Sequence, residues 1–219
     1  MTVRPTLFCA CFLAISLSLV ACQTEGDDDG QEAQFALEDP ALELCVRDTI
    51  AKPDGELEEA DVTGIVHLDC PDRGITTLAG MEYLTGLETL TLWENGIGDL
   101  SPLSGLTRLH DLQLGANDIH DVTPLSGLVD LTSLGLGQNQ IEDLAGLSGL
   151  VHLHWLNLDG NALADDDLGA LCDLQALRWL TVEHNHLGGI GGLDCLADGT
   201  TVYWEFQDAL ATTTEDGAS

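Results

Sequence analysis

Residues 109–130 read LHDLQLGANDIHDVTPLSGLVD. This stretch decides the fold. Leu112 and Leu114 alternate with Asp111 and Gln113, the period-two pattern of a short strand with one buried face. Asn117 follows the strand at the point where the chain must leave the sheet. Buried backbone groups need partners at such a turn, and an amide side chain offers both a donor and acceptors. Ile119 points inward again. Val122, Leu125 and Leu128 then recur three apart, the spacing of a 3₁₀ turn rather than of a full α-helix. Pro124 suits a short turn as well.

The pattern repeats on both sides without gaps. Units of 22 residues span 65–86, 87–108, 109–130 and 131–152, followed by 153–176 with 24 and 177–199 with 23. A strict return at this period excludes independent helices and identifies a solenoid of stacked coils. The turn position carries Asn95, Asn117, Asn139, Asn161 and Asn185, a ladder of structural amides, with Arg73 replacing Asn in the first coil. The extra length of the fifth unit falls at Asp165-Asp166-Asp167 and reads as a solvated loop insertion.

The unit L-x-x-L-x-L-x-x-N-x-I-x-D-L-x-P-L-x-x-L resembles the bacterial leucine-rich repeats of the internalin type. The resemblance covers residues 65–199 and implies an α/β fold: a right-handed solenoid with a concave parallel sheet and a convex side of 3₁₀ turns. It also implies a helical N-terminal cap over residues 37–64. The sequence supports that cap, because Leu42, Cys45, Val46 and Ile50 form a helical stripe behind Asp39-Pro40, an N-cap followed by a first-turn proline. Leu57 to Val62 is expected to add a second short helix. Residues 200–207, TTVYWEFQ, read as a cap strand, and residues 208–219 as a flexible tail.

Residues 1–21 read as a lipoprotein signal peptide, with an apolar stretch of 14 residues ending at Ala21-Cys22. This resembles a bacterial lipobox, which implies lipidation of Cys22, anchoring to the cell envelope, and the outer membrane in preference to the inner. Residues 22–36 are acidic and poor in apolar groups, as a flexible tether should be. Four cysteines remain in the folded part. Cys45 lies on the cap's apolar face and Cys70 in the first strand. Cys172 and Cys195 hold nearly equivalent positions in adjacent coils. Two disulfides, Cys45–Cys70 and Cys172–Cys195, are expected, with buried free thiols as the alternative. The spacings do not suit a tetracysteine zinc site.

Composition narrows the function. The chain has 38 Asp and Glu against 6 Lys and Arg, a formal net charge of −32. Such a surface repels nucleic acid and anionic membranes, so membrane contact is expected only through the lipid. No catalytic motif is present, and neither a cofactor nor a metal is expected; His184 and His186 flank Asn185 and need not converge. The pattern points to a non-enzymatic, monomeric module that binds a protein or peptide, a cationic one being favoured. A spacer without a dedicated ligand and a glycan binder are the alternatives.

The binding surface can be read from the alternation. Outward positions of successive strands form one column with Asp111, Trp155 and Trp179, a second with Gln113, Asn157 and Thr181, and a third with Trp93, Asp159 and Glu183. Gly115, Gly135 and Gly137 would form a shallow floor between Trp93 and the Trp155–Trp179 pair. Exposed aromatic side chains of this kind are enriched in binding hot spots. The competing reading is that Trp155 and Trp179 only stack on each other.

Overall fold

The computed structural model describes residues 35–205. The lipobox with Cys22, the tether as far as residue 34, the last two residues of the 200–207 segment and the tail over 208–219 lie outside the described residues. Among the described residues, no helix is long and apolar enough to cross a membrane.

Seven strands of three residues each form one parallel sheet in sequence order. They are β1 (His67–Asp69), β2 (Thr89–Thr91), β3 (Asp111–Gln113), β4 (Ser133–Gly135), β5 (Trp155–Asn157), β6 (Trp179–Thr181) and β7 (Thr201–Tyr203). Short 3₁₀ helices on the return limbs, such as Ser101–Leu103 and Thr123–Gly127, face the sheet across the core. β1 to β6 fall at equivalent positions of successive coils, and β7 closes the sheet after them. The cap strand is shorter than the eight-residue segment expected from its composition.

The leucine columns of all six coils merge into one continuous core. Leu112, Leu114, Ile119, Leu125 and Leu128 of the third coil are each fully buried. Each such side chain contributes roughly 1.5–3 kcal/mol of apolar burial.

The asparagine ladder is built as the sequence requires, and its geometry explains the exception in the first coil. Each ladder Asn reaches back into the preceding coil. The Oδ1 of Asn139 accepts from Ile119 N at 3.1 Å, and its Nδ2 donates to Leu114 O at 3.0 Å and to Leu136 O in its own coil at 2.9 Å. Asn117, Asn161 and Asn185 repeat this against Ile97, Ile141 and Leu163, and Asn95 serves Ile75 in the same way. The first coil has only the cap behind it. Its Arg73 instead pairs with Asp48 of that cap at 3.5 Å.

The cap comprises α1 (Pro40–Ile50) and α2 (Glu59–Val62). Asp39 does two jobs with one carboxylate. Its Oδ1 accepts from Ala41 N and Leu42 N and so caps α1. Its Oδ2 accepts from Thr76 N at 2.8 Å and Thr77 N at 3.3 Å, which fastens the cap to the first coil. Burial of Asp39 raises its pKa, but the donated backbone N–H bonds outweigh this and hold it below the ordinary 3.8. A lowered folded-state pKa gives stability that is present above 3.8 and is lost as the pH falls through the folded value. Asp39→Asn turns an NH₂ group toward backbone donors. We expect it to cost about 1–3 kcal/mol at neutral pH, and to flatten the acid limb of a urea-midpoint-against-pH profile.

Both disulfides are formed as expected, with Cα–Cα distances of 6.0 Å for Cys45–Cys70 and 5.3 Å for Cys172–Cys195. One reading needs correction. Asp165-Asp166-Asp167 is not a loop insertion but the start of a seven-residue 3₁₀ helix, Asp165–Leu171. The two additional residues lengthen the return limb, and carboxylates satisfy backbone donors around it. Asp167 accepts from Ala164 N at 2.7 Å, and Asp165 accepts from Gly188 N of the next coil at 2.8 Å.

Candidate functional site

The register places the outward columns as the repeat predicts. Trp155 pairs with Trp179, and Asn157 with Thr181; Asp111 pairs with Ser133, and Gln113 with Gly135. The added strand extends the columns by Thr201 and Tyr203. Tyr203 is 48% exposed and belongs to the same aromatic end of the face. The TTVYW segment carried that signal, but its strand register had no repeat to fix it.

Trp93 and Trp179 are exposed, at 42% and 51%, while Trp155 is half-buried. Trp155 is covered because its ring leans over Gly135 and lies near the position a Cβ would take there. The two tryptophans share a column without pairing their rings, unlike Phe35 and Tyr83, whose rings meet edge-on at 5.3 Å.

Gly115, Gly135 and Gly137 line the floor of the groove, and neighbouring amide side chains lie over part of it. Gly135 and Gly137 are buried. The Gln113 side chain lies so close over Gly135 that a Cβ there would collide with its Oε1, and a Cβ on Gly137 would meet Asn157 Oδ1 at 2.9 Å. A glycine exposes backbone, and a neighbouring amide side chain settles onto the vacated space. Those amides are themselves held. Gln113 Nε2 donates to Asp111 Oδ1 at 2.6 Å and to Ser133 Oγ at 3.1 Å. Asn157 Oδ1 accepts from Thr181 Oγ1 at 2.8 Å and from Asp159 N at 2.8 Å. Asp111, Gln113, Asn157 and Thr181 thus form a pre-ordered polar surface rather than a rim around bare backbone.

Above this surface lies a groove of about 460 Å³. Trp93 and Glu94 line one side, Asp159 the other, and Gln113 and Asn157 its base. No Lys or Arg lines it. The site can therefore take apolar or aromatic groups against Trp93 and cationic groups against the carboxylates.

A second set of carboxylates went unassigned in the sequence. Asp99, Asp121 and Asp143 hold one column and accept from Ser101 N, Thr123 N and Ala145 N at 2.9, 2.8 and 2.7 Å. They start the 3₁₀ turns, a structural use. Hydrogen bonds from Ser101 and Thr123 hold Asp99 and Asp121 below the usual carboxylate pKa. The signal was present as an Asp two residues before each turn.

Residues 85–127 match the family of leucine-rich repeats, two copies. Internalin C2 from Listeria monocytogenes has a similar structure, 28% identical, covering 77% of this chain and 94% of that one, with a TM-score of 0.55. The chain carries leucine-rich repeats similar to those of the internalins. An internalin F from the same organism is 25% identical over 77% of this chain, with a TM-score of 0.62. The functional domain of InlJ, also from Listeria monocytogenes and described as including a cysteine ladder, is similar in fold at 23% identity over 80% of this chain, with a TM-score of 0.59. The match spans 55% and 43% of those two longer chains. No curated protein matches the sequence as a relative.

Proposed function

We propose that the chain is a non-enzymatic protein-binding module, and that its ligand is a cationic segment of another protein laid across the outer face of the sheet. The observation that carries this is the groove between exposed Trp93 and Asp159, acidic and without a basic side chain in its lining. An internalin-type repeat frame supports it, because such a frame presents a rigid row of outward side chains on neighbouring coils. Trp179, Trp155 and Tyr203 extend the surface toward the closing strand. The lipobox reading supports display on the cell envelope, tethered through Cys22.

Capture of partners from an envelope extract tests this reading. Trp93→Ala and the double change Trp155→Ala with Trp179→Ala should each reduce capture by ten-fold or more, the scale of about 1.4–2 kcal/mol expected for truncated hot-spot aromatics. Capture should also weaken with added salt, since carboxylates meet a cationic segment. Unchanged capture by both variants counts against the face as the binding surface.

A further inference from the structure

At the border of the groove, three side chains from two adjacent coils converge. Asp159 follows β5, and Glu183 and His184 follow β6. One donor atom from each lies within 4.8 Å of the other two. The His184 Nδ1 is 2.8 Å from Asp159 Oδ1. We propose that Asp159, Glu183 and His184 form a binding site for a divalent transition-metal ion, with Zn²⁺ the best-fitting ion.

The geometry suits an ion of that size. In a tetrahedral set with bonds of about 2.1 Å, the donors stand about 3.4 Å apart. His184 Nδ1 and Asp159 Oδ1, now joined by a hydrogen bond, would open slightly around an ion, and the three donors already lie within 4.8 Å of one another. The remaining separation closes by side-chain rotation, which is available because these groups are partly exposed: the side chains of His184 and Asp159 are 51% and 28% accessible. The backbone beneath them is fixed. Gly160 N donates to Glu183 O at 2.9 Å, Asp159 N to Asn157 Oδ1 at 2.8 Å, and Asn185 Nδ2 to Glu183 O at 3.0 Å. The metal would therefore meet a preformed frame.

The donor chemistry selects the class of ion. Two carboxylates alone would suit Ca²⁺ or Mg²⁺, whereas an imidazole beside them favours Zn²⁺ and its neighbours in the transition series. Charge favours it too. Two carboxylates on neighbouring coils repel, and among the described residues no Lys or Arg forms an ion pair with either. Three protein donors leave at least one coordination position, which water or a partner's side chain can fill. Asp159 is shared with the groove, whereas Glu183 and His184 lie outside its lining, so metal binding can be read in the absence of any protein ligand.

His184 sits at a backbone position with φ 50°, where the preceding coil has Gly160 at 66°. His184→Gly therefore removes the imidazole without backbone strain. Glu183→Gln removes one carboxylate and keeps its shape. Isothermal titration of the full chain without a histidine tag, at physiological salt, with ZnCl₂ and separately with CaCl₂, is the test. A single Zn²⁺ site is expected, with both variants weakening it by at least about ten-fold, the lower bound set by disturbing even outer-shell partners. His120→Ala should leave it unchanged, and Ca²⁺ should bind more weakly than Zn²⁺. Zn²⁺ affinity in folded variants within about two-fold of the parent overturns the proposal, as does Ca²⁺ binding as tight as Zn²⁺ binding or the lack of a saturable one-site isotherm.

Discussion

Replacing Asn139 with Ala should cost about 2–4 kcal/mol of unfolding free energy, more than the same change at Asn95. The difference follows from what each amide serves. Asn139 is 8% exposed and sits in the middle of the ladder. Its loss leaves Ile119 N without its acceptor, and removes the Nδ2 donor from Leu114 O, Leu136 O and Gly137 O. The orphaned Ile119 N costs roughly 1–3 kcal/mol in a turn that water reaches poorly; the three carbonyls keep second donors in Asn117 Nδ2, Asn161 Nδ2 and Ala116 N, so their loss is smaller. Asn95 is only half-buried and serves the first coil. One of the groups it serves, Arg73 N, is near solvent, so water can replace the lost bond. Stability in a solenoid is a sum over coils and their interfaces. Removing the amide that joins the third coil to the fourth should therefore also lower the denaturant slope, as the two halves begin to unfold separately. Urea titrations of the two variants measure both quantities. Equal costs at Asn139 and Asn95 would show that the ladder amides are not the main coupling between coils.

That contrast also shows which parts of the structure were legible in the sequence. A repeat of 22 residues contains the sheet register, because equivalent residues of successive coils must lie side by side. Trp155 opposite Trp179 was readable even across the 24-residue fifth unit. Its additional residues fall in the return limb, and the strand resumes in phase. The disulfides were readable for the same reason, since only neighbouring coils touch. What alternation does not contain is where a long side chain goes once it has left the sheet. Gln113 was placed on the outer face correctly, but its fold over Gly135 depends on partners at Asp111 and Ser133 that lie on two different strands. The convergence of His184 with Asp159 was hidden in a different way. His184 sits beyond the strand with a positive φ, so the in-and-out pattern does not give its direction. The sequence places His184 and His186 on either side of Asn185 with no shared direction, whereas the structure brings His184 to the carboxylates of Asp159 and Glu183.

The second large effect is expected from reduction of the disulfides, and it should be unequal at the two ends. Both bridges close loops of similar length, with sequence separations of 25 and 23. Each is worth about 3 kcal/mol by loop-closure entropy, so loss of both removes much of what protects the solenoid from fraying. Access differs far more than this. Cys45 and Cys70 are 1% and 0% exposed, sealed between α1 and β1. Cys195 is exposed and Cys172 half-buried. Thiol–disulfide exchange needs an attacking thiolate to reach sulfur. Under native conditions a reductant with an alkylating trap should label Cys172 and Cys195 first. Cys45 and Cys70 should be labelled only at the rate at which the cap unfolds, and mass spectrometry of timed samples separates the two pairs. The C-terminal bridge joins the return limbs behind β5 and β6, the strands that carry Trp155 and Trp179. Cutting it should loosen the register of that pair while leaving the Trp93 side of the groove intact. Partial reduction is therefore expected to weaken partner capture before it lowers cap stability. If all four thiols label together, the two ends do not fray independently, and the solenoid opens as one cooperative unit.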